Sequence, residues 1–264
     1  MITEINSAGK LFLYILAKYS LQYFFLSLIA ILNCNIIYSQ PNIDSRLFFD
    51  PLKRFSLKLS GTYISSTELQ NNINSSNQIE RDASTELDGG FGYAAELTYD
   101  PKLGNSEIYF FISSEYFQHK QKDLYIRYYE DTNFYSVNFE EQFYFIPIEA
   151  GIKWNLPVSG QNLKIYIGGG GGVYFGNRKR IIRGLVTTTN HVNPGYSINV
   201  LSGIDYYIAR NLCAAFEFKF REAYFEVESQ FDSKLKTVYG FPNPLTSRIV
   251  VNGTTLSLGL KYSF

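Results

Sequence analysis

The sequence contains few of the residues that bind metals, form disulfides or build a catalytic site. Its 264 residues include two cysteines, Cys34 and Cys213, and two histidines, His119 and His191. Because two separated histidines without a cysteine pair do not make a metal site, we expect no metal and no other cofactor. Lysine plus arginine equals aspartate plus glutamate, at 24 each. A chain without a basic surplus is poorly suited to neutralising a phosphate backbone, so nucleic acid is excluded as an expected partner.

Long apolar runs are also scarce, and the main one lies near the N-terminus. Lys10 and Lys18 precede an apolar stretch from Tyr23 to Leu32, and Ser39 offers a small residue at a plausible cleavage position. This layout is typical of a secretory signal peptide, which we predict at residues 1–39. An uncleaved membrane anchor is the alternative, although the run is shorter than the roughly 20 residues that a spanning helix needs.

Removal of this leader would leave a single cysteine in the mature chain. Lipoprotein acylation at Cys34 is disfavoured, because Asn33 stands before it where a small residue would be expected. Cys213 alone cannot form an intramolecular disulfide. No histidine lies near Cys213 in sequence, so we expect a small buried thiol rather than a nucleophile.

Tyrosine and phenylalanine are abundant instead, at 22 residues each, and both favour strands and membrane interfaces. After residue 40 apolar and polar residues alternate with the period of β-strands, and no helical period is present. Most alternating segments reach the roughly 10 residues with which a tilted strand crosses a bilayer. We therefore predict a short N-terminal segment at 40–52 and one all-β domain at 53–264. Its eight strands are predicted at residues 53–65, 89–100, 106–118, 142–155, 162–176, 195–209, 211–226 and 252–264.

The predicted connections alternate strictly between long and short. The long, polar ones cover 67–88, 119–141, 177–194 and 227–251, and the short ones cover 100–105, 156–161 and 209–211. Outer-membrane barrels combine long extracellular loops with short periplasmic turns. The pattern therefore predicts an eight-stranded antiparallel up-and-down transmembrane β-barrel, with both termini on the periplasmic side.

Charged residues fall on one face of the predicted strands. The more apolar alternating set, such as Phe91, Tyr93 and Leu97 in the second strand, contains no charge. A membrane barrel turns that set to lipid, whereas a soluble lipocalin-like barrel needs it inside. Eight strands enclose a narrow interior, so we expect the nearly balanced opposite set to form a paired network that plugs the lumen. That set comprises Arg54, Lys58, Glu96, Glu107, Glu115, Glu149, Lys153, Lys164, Asp205, Glu217, Lys219, Arg221 and Lys261.

The end of the chain resembles the final strand of bacterial outer-membrane barrels. Its alternating apolar residues are Leu256, Leu258, Leu260, Tyr262 and the terminal Phe264. In such barrels a strand of this kind is the signal read by the barrel insertion machinery. The resemblance implies an integral protein of the outer membrane of a Gram-negative bacterium. Its expected partners are that machinery, periplasmic chaperones, outer-membrane lipids and lipopolysaccharide.

A second resemblance lies in the middle of the chain. An Ile-Pro-apolar strand at Phe145–Trp154, a short turn and a strand with a glycine cluster at Gly168–Gly172 resemble the porin-like outer-membrane β-barrel domain family. Members, like the related OmpA and OmpX barrels, are small and usually have no assigned reaction. Pro147 cannot donate to a ladder, which implies an edge, a bulge or a strand start. The glycines lack the Gly-Lys-Ser/Thr of a phosphate loop, so they favour barrel bending or close backbone approach.

The sequence does not identify a catalysed reaction. His119 lies near Ser113 and Glu115 in sequence but beyond the expected membrane edge, and His191 falls in a predicted loop. No nucleophile, base and orienting group can be named together. We therefore expect a non-enzymatic outer-membrane barrel with a structural, adhesive or surface-binding role. The alternatives are an outer-membrane enzyme acting on lipid or ester substrates and a secreted lipocalin-like ligand carrier.

The long loops are the expected place for function. The third predicted loop contains four basic residues, Arg178, Lys179, Arg180 and Arg183. These could meet anionic lipopolysaccharide or another surface ligand, or they could simply form the solvated base of a loop.

Overall fold

In a computed structural model, the structure describes residues 54–101, 107–130, 133–160, 162–182, 184–230 and 244–264. The predicted signal peptide and the N-terminal segment at 40–52 lie outside the described residues. No helix in the described ranges is long and apolar enough to span a membrane. The helix α1, Gln78–Asp82, has five residues and begins after Asn77, whose side chain accepts a hydrogen bond from the amide of Ile79.

Ten strands make up the described fold. Eight are long: β1 Phe55–Gln70, β2 Ser84–Tyr99, β3 Ile108–Glu130, β4 Asn133–Asn155, β5 Leu163–Ile182, β8 Gly195–Ala209, β9 Leu212–Gln230 and β10 Leu245–Ser263. Two are short, β6 Leu185–Val186 and β7 Thr188–Asn193. All pairings are antiparallel, and the long strands close into a ring in chain order because β10 pairs with both β9 and β1. The prediction of an eight-stranded up-and-down transmembrane barrel is confirmed.

The strands are longer than predicted, and the extra length is almost all at one end. At the end that holds the short connections, which we call the turn end, predicted and observed limits differ by a few residues. At the opposite, loop end, β3 continues to Glu130 and β4 begins at Asn133, so most of the predicted loop 119–141 is strand. The predicted loop 177–194 likewise holds the end of β5 and the two short strands, which pair with β5 and β9.

The outer surface of the barrel carries an apolar band bordered by two rows of aromatic residues. Phe55 contacts Tyr99 near the turn end, and Tyr63 contacts Phe91 nearer the loop end. Tyr63 is eight positions after Phe55, which at about 3.3 Å per residue and a tilt of about 40° corresponds to roughly 20 Å along the barrel axis. Phe91 and Tyr93 are 79% and 77% exposed. Such a band matches the lipid-facing girdle of a membrane barrel rather than the surface of a soluble protein.

Beyond the aromatic row nearer the loop end, the outward face of the strands becomes polar and the inward face becomes apolar. On β9 the outward residues Phe216, Phe218 and Phe220 are followed by outward Glu222 and Glu226. The inward side changes in the opposite sense, from Lys219 and Arg221 to Ala223, Phe225 and Val227. We call this part of the barrel the collar. Its exterior is mostly polar and its interior mostly apolar, as in a water-soluble β-barrel.

A break in strand pairing accompanies this exchange on β1. The register between β1 and β10 shifts between Ile64 and Glu68. There, side chains replace part of the ladder: Ser66 Oγ donates to the carbonyl of Asn252, and the amide of Thr254 donates to Ser65 Oγ. Gly253 has φ of +125° at this point, a backbone conformation that L side chains rarely adopt. Ile64 and Leu69 consequently both face inward although five positions separate them.

The glycine cluster of β5 lies in regular strand and allows close approach of β4, as the sequence predicts. A Cβ on Gly168 would lie 2.5 Å from the carbonyl oxygen of Ile152, and one on Gly170 would lie 2.2 Å from that of Ala150. Pro147, in contrast, does not occupy the edge, bulge or strand start that the sequence implies. It lies inside β4, whose pairing with β3 is interrupted there without a change of register.

Two adjacent glycines test this close approach. We expect Gly170→Ala to destabilise the barrel by about 1–3 kcal/mol, because its methyl group would overlap the β4 backbone. Gly171→Ala is the matched control, since its Cβ would lie 3.4 Å from the nearest atom, the carbonyl oxygen of Ser197. Both changes restrict the unfolded chain equally. Urea unfolding from lipid vesicles measures the difference, and equal stabilities would contradict the packing argument.

Candidate functional site

The barrel interior is the feature with the densest chemistry, and it is built in layers. The layer nearest the turn end is the inner quartet, Lys58, Glu96, Lys153 and Glu217, contributed by β1, β2, β4 and β9. Lys58 Nζ lies 2.9 Å from Glu96 and 2.8 Å from Glu217, and Lys153 Nζ lies 2.5 Å and 2.7 Å from the same two carboxylates. All four side chains are at most 6% exposed. Two positive and two negative charges therefore cancel among side chains that are almost fully buried.

Neutral donors complete the inner quartet. Tyr166 donates its hydroxyl to Glu217 at 3.0 Å, and Thr98 donates to Glu96 at 3.2 Å. The ammonium of Lys153 also lies 4.8 Å from the ring centre of Tyr166 and 5.1 Å from that of Phe111. Burying charges is tolerable only when pairing and hydrogen bonds replace the lost water, and this arrangement supplies both.

The next layer, the outer quartet, repeats the same chemistry with Glu115, Glu149, Lys219 and Arg221. Arg221 bridges the two carboxylates, at 2.9 Å from Glu115 and 3.3 Å from Glu149, and Lys219 lies 2.5 Å from Glu149. Thr62 and Tyr174 donate to Glu115 and Glu149. A cavity of about 10 Å³ remains between the quartets, which is room for about one water molecule.

An apolar layer lies across the barrel above the quartets. Phe117, Phe145 and Phe225 are at most 1% exposed, and the Phe117 ring centre lies 5.2 Å from that of Phe145 and 5.9 Å from that of Phe143. The remaining members of this cluster are Ile64, Leu69, Leu87, Tyr174, Ala223, Val227, Ile249 and Val251. Ions and polar solutes cannot pass such a layer without losing their hydration.

A third group of charges, the collar cluster, covers this apolar layer. Glu141 on β4 accepts hydrogen bonds from Arg178 and Arg180 on β5, with Arg180 Nε at 2.8 Å. Arg178 also donates to Ser247 on β10, and Arg180 donates to Asn71 in the connection after β1. The three charged side chains are at most 3% exposed. The cluster thus ties two hairpins and one loop together inside the collar.

The turn end of the lumen is open to a cavity of about 210 Å³. Lys261 and Asp205 form a 2.8 Å pair in its wall, and Lys164 lies 3.6 Å from Glu107. Arg54 also lines this cavity and is itself exposed. This end therefore holds partly hydrated pairs, unlike the enclosed quartets.

The thirteen charges that the sequence assigns to the lumen consequently occupy different environments. Eight of them form the two quartets. Asp205 and Lys261 pair at the mouth, while Glu107, Lys164 and Arg54 are wholly or partly exposed there. The terminal strand has Leu256, Leu258 and Leu260 on the outer surface, and the rings of Tyr262 and Phe264 contact each other at 5.4 Å.

Sequence reasoning missed the collar cluster and misplaced two of its members. Arg178 and Arg180 do not lie in a solvated loop base, because β5 continues through them and turns both side chains inward. Lys179 points outward and is exposed. Arg183 lies outside the described residues. The signal is present in the sequence, since Arg178 and Arg180 share the parity of the inward residues Tyr166 and Tyr174.

Both histidines lie in strands rather than in the predicted loops. His119 is in β3, inside the collar, where its ring stacks on Phe117 and contacts Phe143. Its Nε2 atom is buried and has no hydrogen-bond partner among the described residues. His191 lies in β7, where it is opposite Glu228 in the antiparallel pairing with β9. Cys213 is a free, buried thiol, as expected. The described side chains include no group of three His, Cys, Asp or Glu residues that could hold a metal ion.

Comparison with known proteins agrees with the architecture. No protein-family profile matches the chain, and no curated protein matches it. The fold is similar to that of the outer membrane protein OprG from Pseudomonas aeruginosa, with a TM-score of 0.55, 10% sequence identity and coverage of 80% of this chain and 95% of that one. The outer membrane protease OmpT from Escherichia coli matches with a TM-score of 0.47, 9% identity and coverage of 80% and 96%. Neisserial surface protein A matches with a TM-score of 0.38, 13% identity and coverage of 80% and 97%.

At 10% identity the likeness to OprG extends to the fold and not to an activity. The expected resemblance to small outer-membrane barrels is therefore confirmed as a matter of architecture.

The collar cluster can be tested with two neighbouring carboxylates. We expect Glu141→Gln to destabilise the barrel by about 3 kcal/mol, because it leaves two buried arginines without a carboxylate. Glu140→Gln is the control, since Glu140 points outward and forms a partly exposed pair with Lys120, a type of pair that contributes little. Urea unfolding in detergent micelles measures both variants. Equal losses would show that Glu141 has no special role.

Proposed function

We propose that this protein is an integral outer-membrane barrel with a closed lumen that acts through the outer surface of its collar, in a structural or surface-binding role. The observation that carries the proposal is the succession of two neutral quartets, an apolar layer and the collar cluster across one narrow interior. Such an interior favours rigidity over transport. Among the described residues, those on the outer surface of the collar are then available to a partner.

The exposed apolar band supports a membrane location over a secreted ligand carrier. A lipocalin-like carrier would need an apolar cavity, whereas the lumen here is filled by ion pairs and packed rings. The loop end is then extracellular and the turn end periplasmic, as in barrels with short periplasmic turns. In this orientation the collar projects above the lipid.

An outer-membrane enzyme is the second candidate, and we propose a non-enzymatic role over it. His119, the better placed histidine, packs among phenylalanine rings rather than beside a nucleophile. A general base must lie within hydrogen-bond reach of the group that it activates. Loss of lipid or ester hydrolysis in His119→Ala would favour the enzyme instead.

Fractionation and labelling test the location and the orientation together. We expect heat-modifiable migration on a gel and recovery in the detergent-extracted outer membrane. In the same cells a membrane-impermeant maleimide should label Gln230→Cys, at the exposed end of β9. It should label Asn211→Cys, in a short turn, only after lysis. The native Cys213 is buried and gives the background. Recovery in the soluble periplasm, or labelling in the reverse order, would contradict the proposal.

Planar bilayers test the closed lumen. Because three charged clusters and an apolar layer fill the interior, we expect the reconstituted barrel to give no large, stable conductance steps. An outer-membrane porin reconstituted in the same way is the positive control. Stable steps from this barrel would show that its lumen is an open path.

A further inference from the structure

The described side chains on the outer surface of the collar carry opposite net charge on its two halves. Among the side chains that the structure describes, the half formed by β9, β10, β1 and β2 carries six outward carboxylates against one arginine, Arg248. They are Glu68, Glu86, Asp88, Glu222, Glu226 and Glu228. On the half formed by β3, β4 and β5, the described side chains include three outward lysines, Lys120, Lys122 and Lys179, against one carboxylate, Glu140. We call these three residues the lysine row.

Strand register brings the lysine row together. Lys120 on β3 is opposite Gln142 on β4, and Gln142 is in turn opposite Lys179 on β5. With neighbouring strands about 4.8 Å apart, the two lysine backbones lie roughly 10 Å from each other. Lysine side chains are long enough for both ammonium groups to reach one anionic group placed over Gln142. Lys122 extends the row along β3 and is exposed.

Glu140, the one carboxylate among the described side chains of this half, does not neutralise the row. Glu140 lies 2.7 Å from Lys120 and also accepts a hydrogen bond from Gln142. Lys120 remains about half exposed, with 47% of its side chain accessible. Lys122 and Lys179 have no ion pair among the described residues. Three ammonium groups and one carboxylate leave an outward surplus of positive charge.

The position of the lysine row along the barrel axis determines which anion it can bind. Tyr144 lies two positions from Gln142 on the same face of β4, and Tyr116 stacks against it with ring centres 6.3 Å apart. These rings belong to the aromatic row that borders the apolar band, where membrane proteins place tyrosine at headgroup level. Two residues along a strand correspond to about 6.6 Å. The lysine row therefore lies just outside the acyl region, at the depth of lipid phosphates.

We propose that the lysine row is a binding site for the phosphate groups of outer-leaflet lipids. The row is flat, exposed and adjacent to aromatic rings, so a lipid can place its acyl chains on the apolar band and its phosphate on the ammonium groups. A free phosphate ion would have only the charges and would be screened by salt. This inference rests on the proposed membrane location and orientation.

Phosphorylated lipid A and its dephosphorylated form are the probes. The full barrel is reconstituted in nanodiscs of a neutral lipid, and the bound lipid is measured by native mass spectrometry. We expect the phosphorylated form to bind in preference, and the triple variant Lys120→Gln, Lys122→Gln, Lys179→Gln to bind it at least about tenfold more weakly. Glu140→Gln should bind it more tightly. Glu222→Gln, a carboxylate variant on the opposite half of the collar, should leave binding unchanged.

Each outcome has a distinct meaning. Equal binding of the two lipid forms, or undiminished binding by the triple variant, would overturn the lysine row as a phosphate site. Competition by millimolar inorganic phosphate to the same extent as lipid would show a simple anion site instead. Outer-membrane recovery and labelling of Gln230→Cys remain as separate readouts. Failure of the lipid site is thereby distinguishable from failure of the proposed location.

Discussion

Charge pairing inside a narrow, closed barrel is the constraint on which the rest of this structure depends. Arg221 has no exposed side-chain surface, yet it keeps its charge because Glu115 and Glu149 lie within 3.3 Å. Removing one partner of such a group costs far more than the pair itself contributes, since it leaves an unpaired charge without water. Each quartet draws on at least three strands. The pairing therefore fixes the relative positions of those strands as well as neutralising them.

Space for the quartets comes from residues with no side chain. Glu149 and Lys153 on β4 are opposite Gly172 and Gly168 on β5. A Cβ on Gly172 would lie 2.8 Å from Cγ of Glu149. The inward glycines of β5 thus leave the volume that the long charged side chains of β4 and β9 fill. The glycine cluster and the ion pairs are two parts of one packing solution.

The sequence allowed the eight strands, their faces and most of the buried charges to be predicted, because alternation with a fixed polarity is a strong signal. The prediction from sequence failed in the collar, where the outward face of the strands becomes polar and the inward face becomes apolar. Outward Glu228 made residues 227–230 at the end of β9 resemble a loop, although inward Val227 and Ser229 continue the alternation on the other face. The collar cluster was missed for the same reason. Once β4 and β5 extend that far, their common register places Glu141 opposite Arg180.

The reversal also separates what the two parts of the barrel can do. In the lipid-facing part, charged residues must be inside, so they are used in pairing and cannot meet a partner. In the collar, apolar rings fill most of the interior, and most charged side chains lie on the outer surface. The outer surface of the collar can therefore keep a surplus of one charge, as the described side chains on its two halves do. A barrel built in this way uses most of its interior to hold the strands together and carries the exposed charges of the collar on its outside.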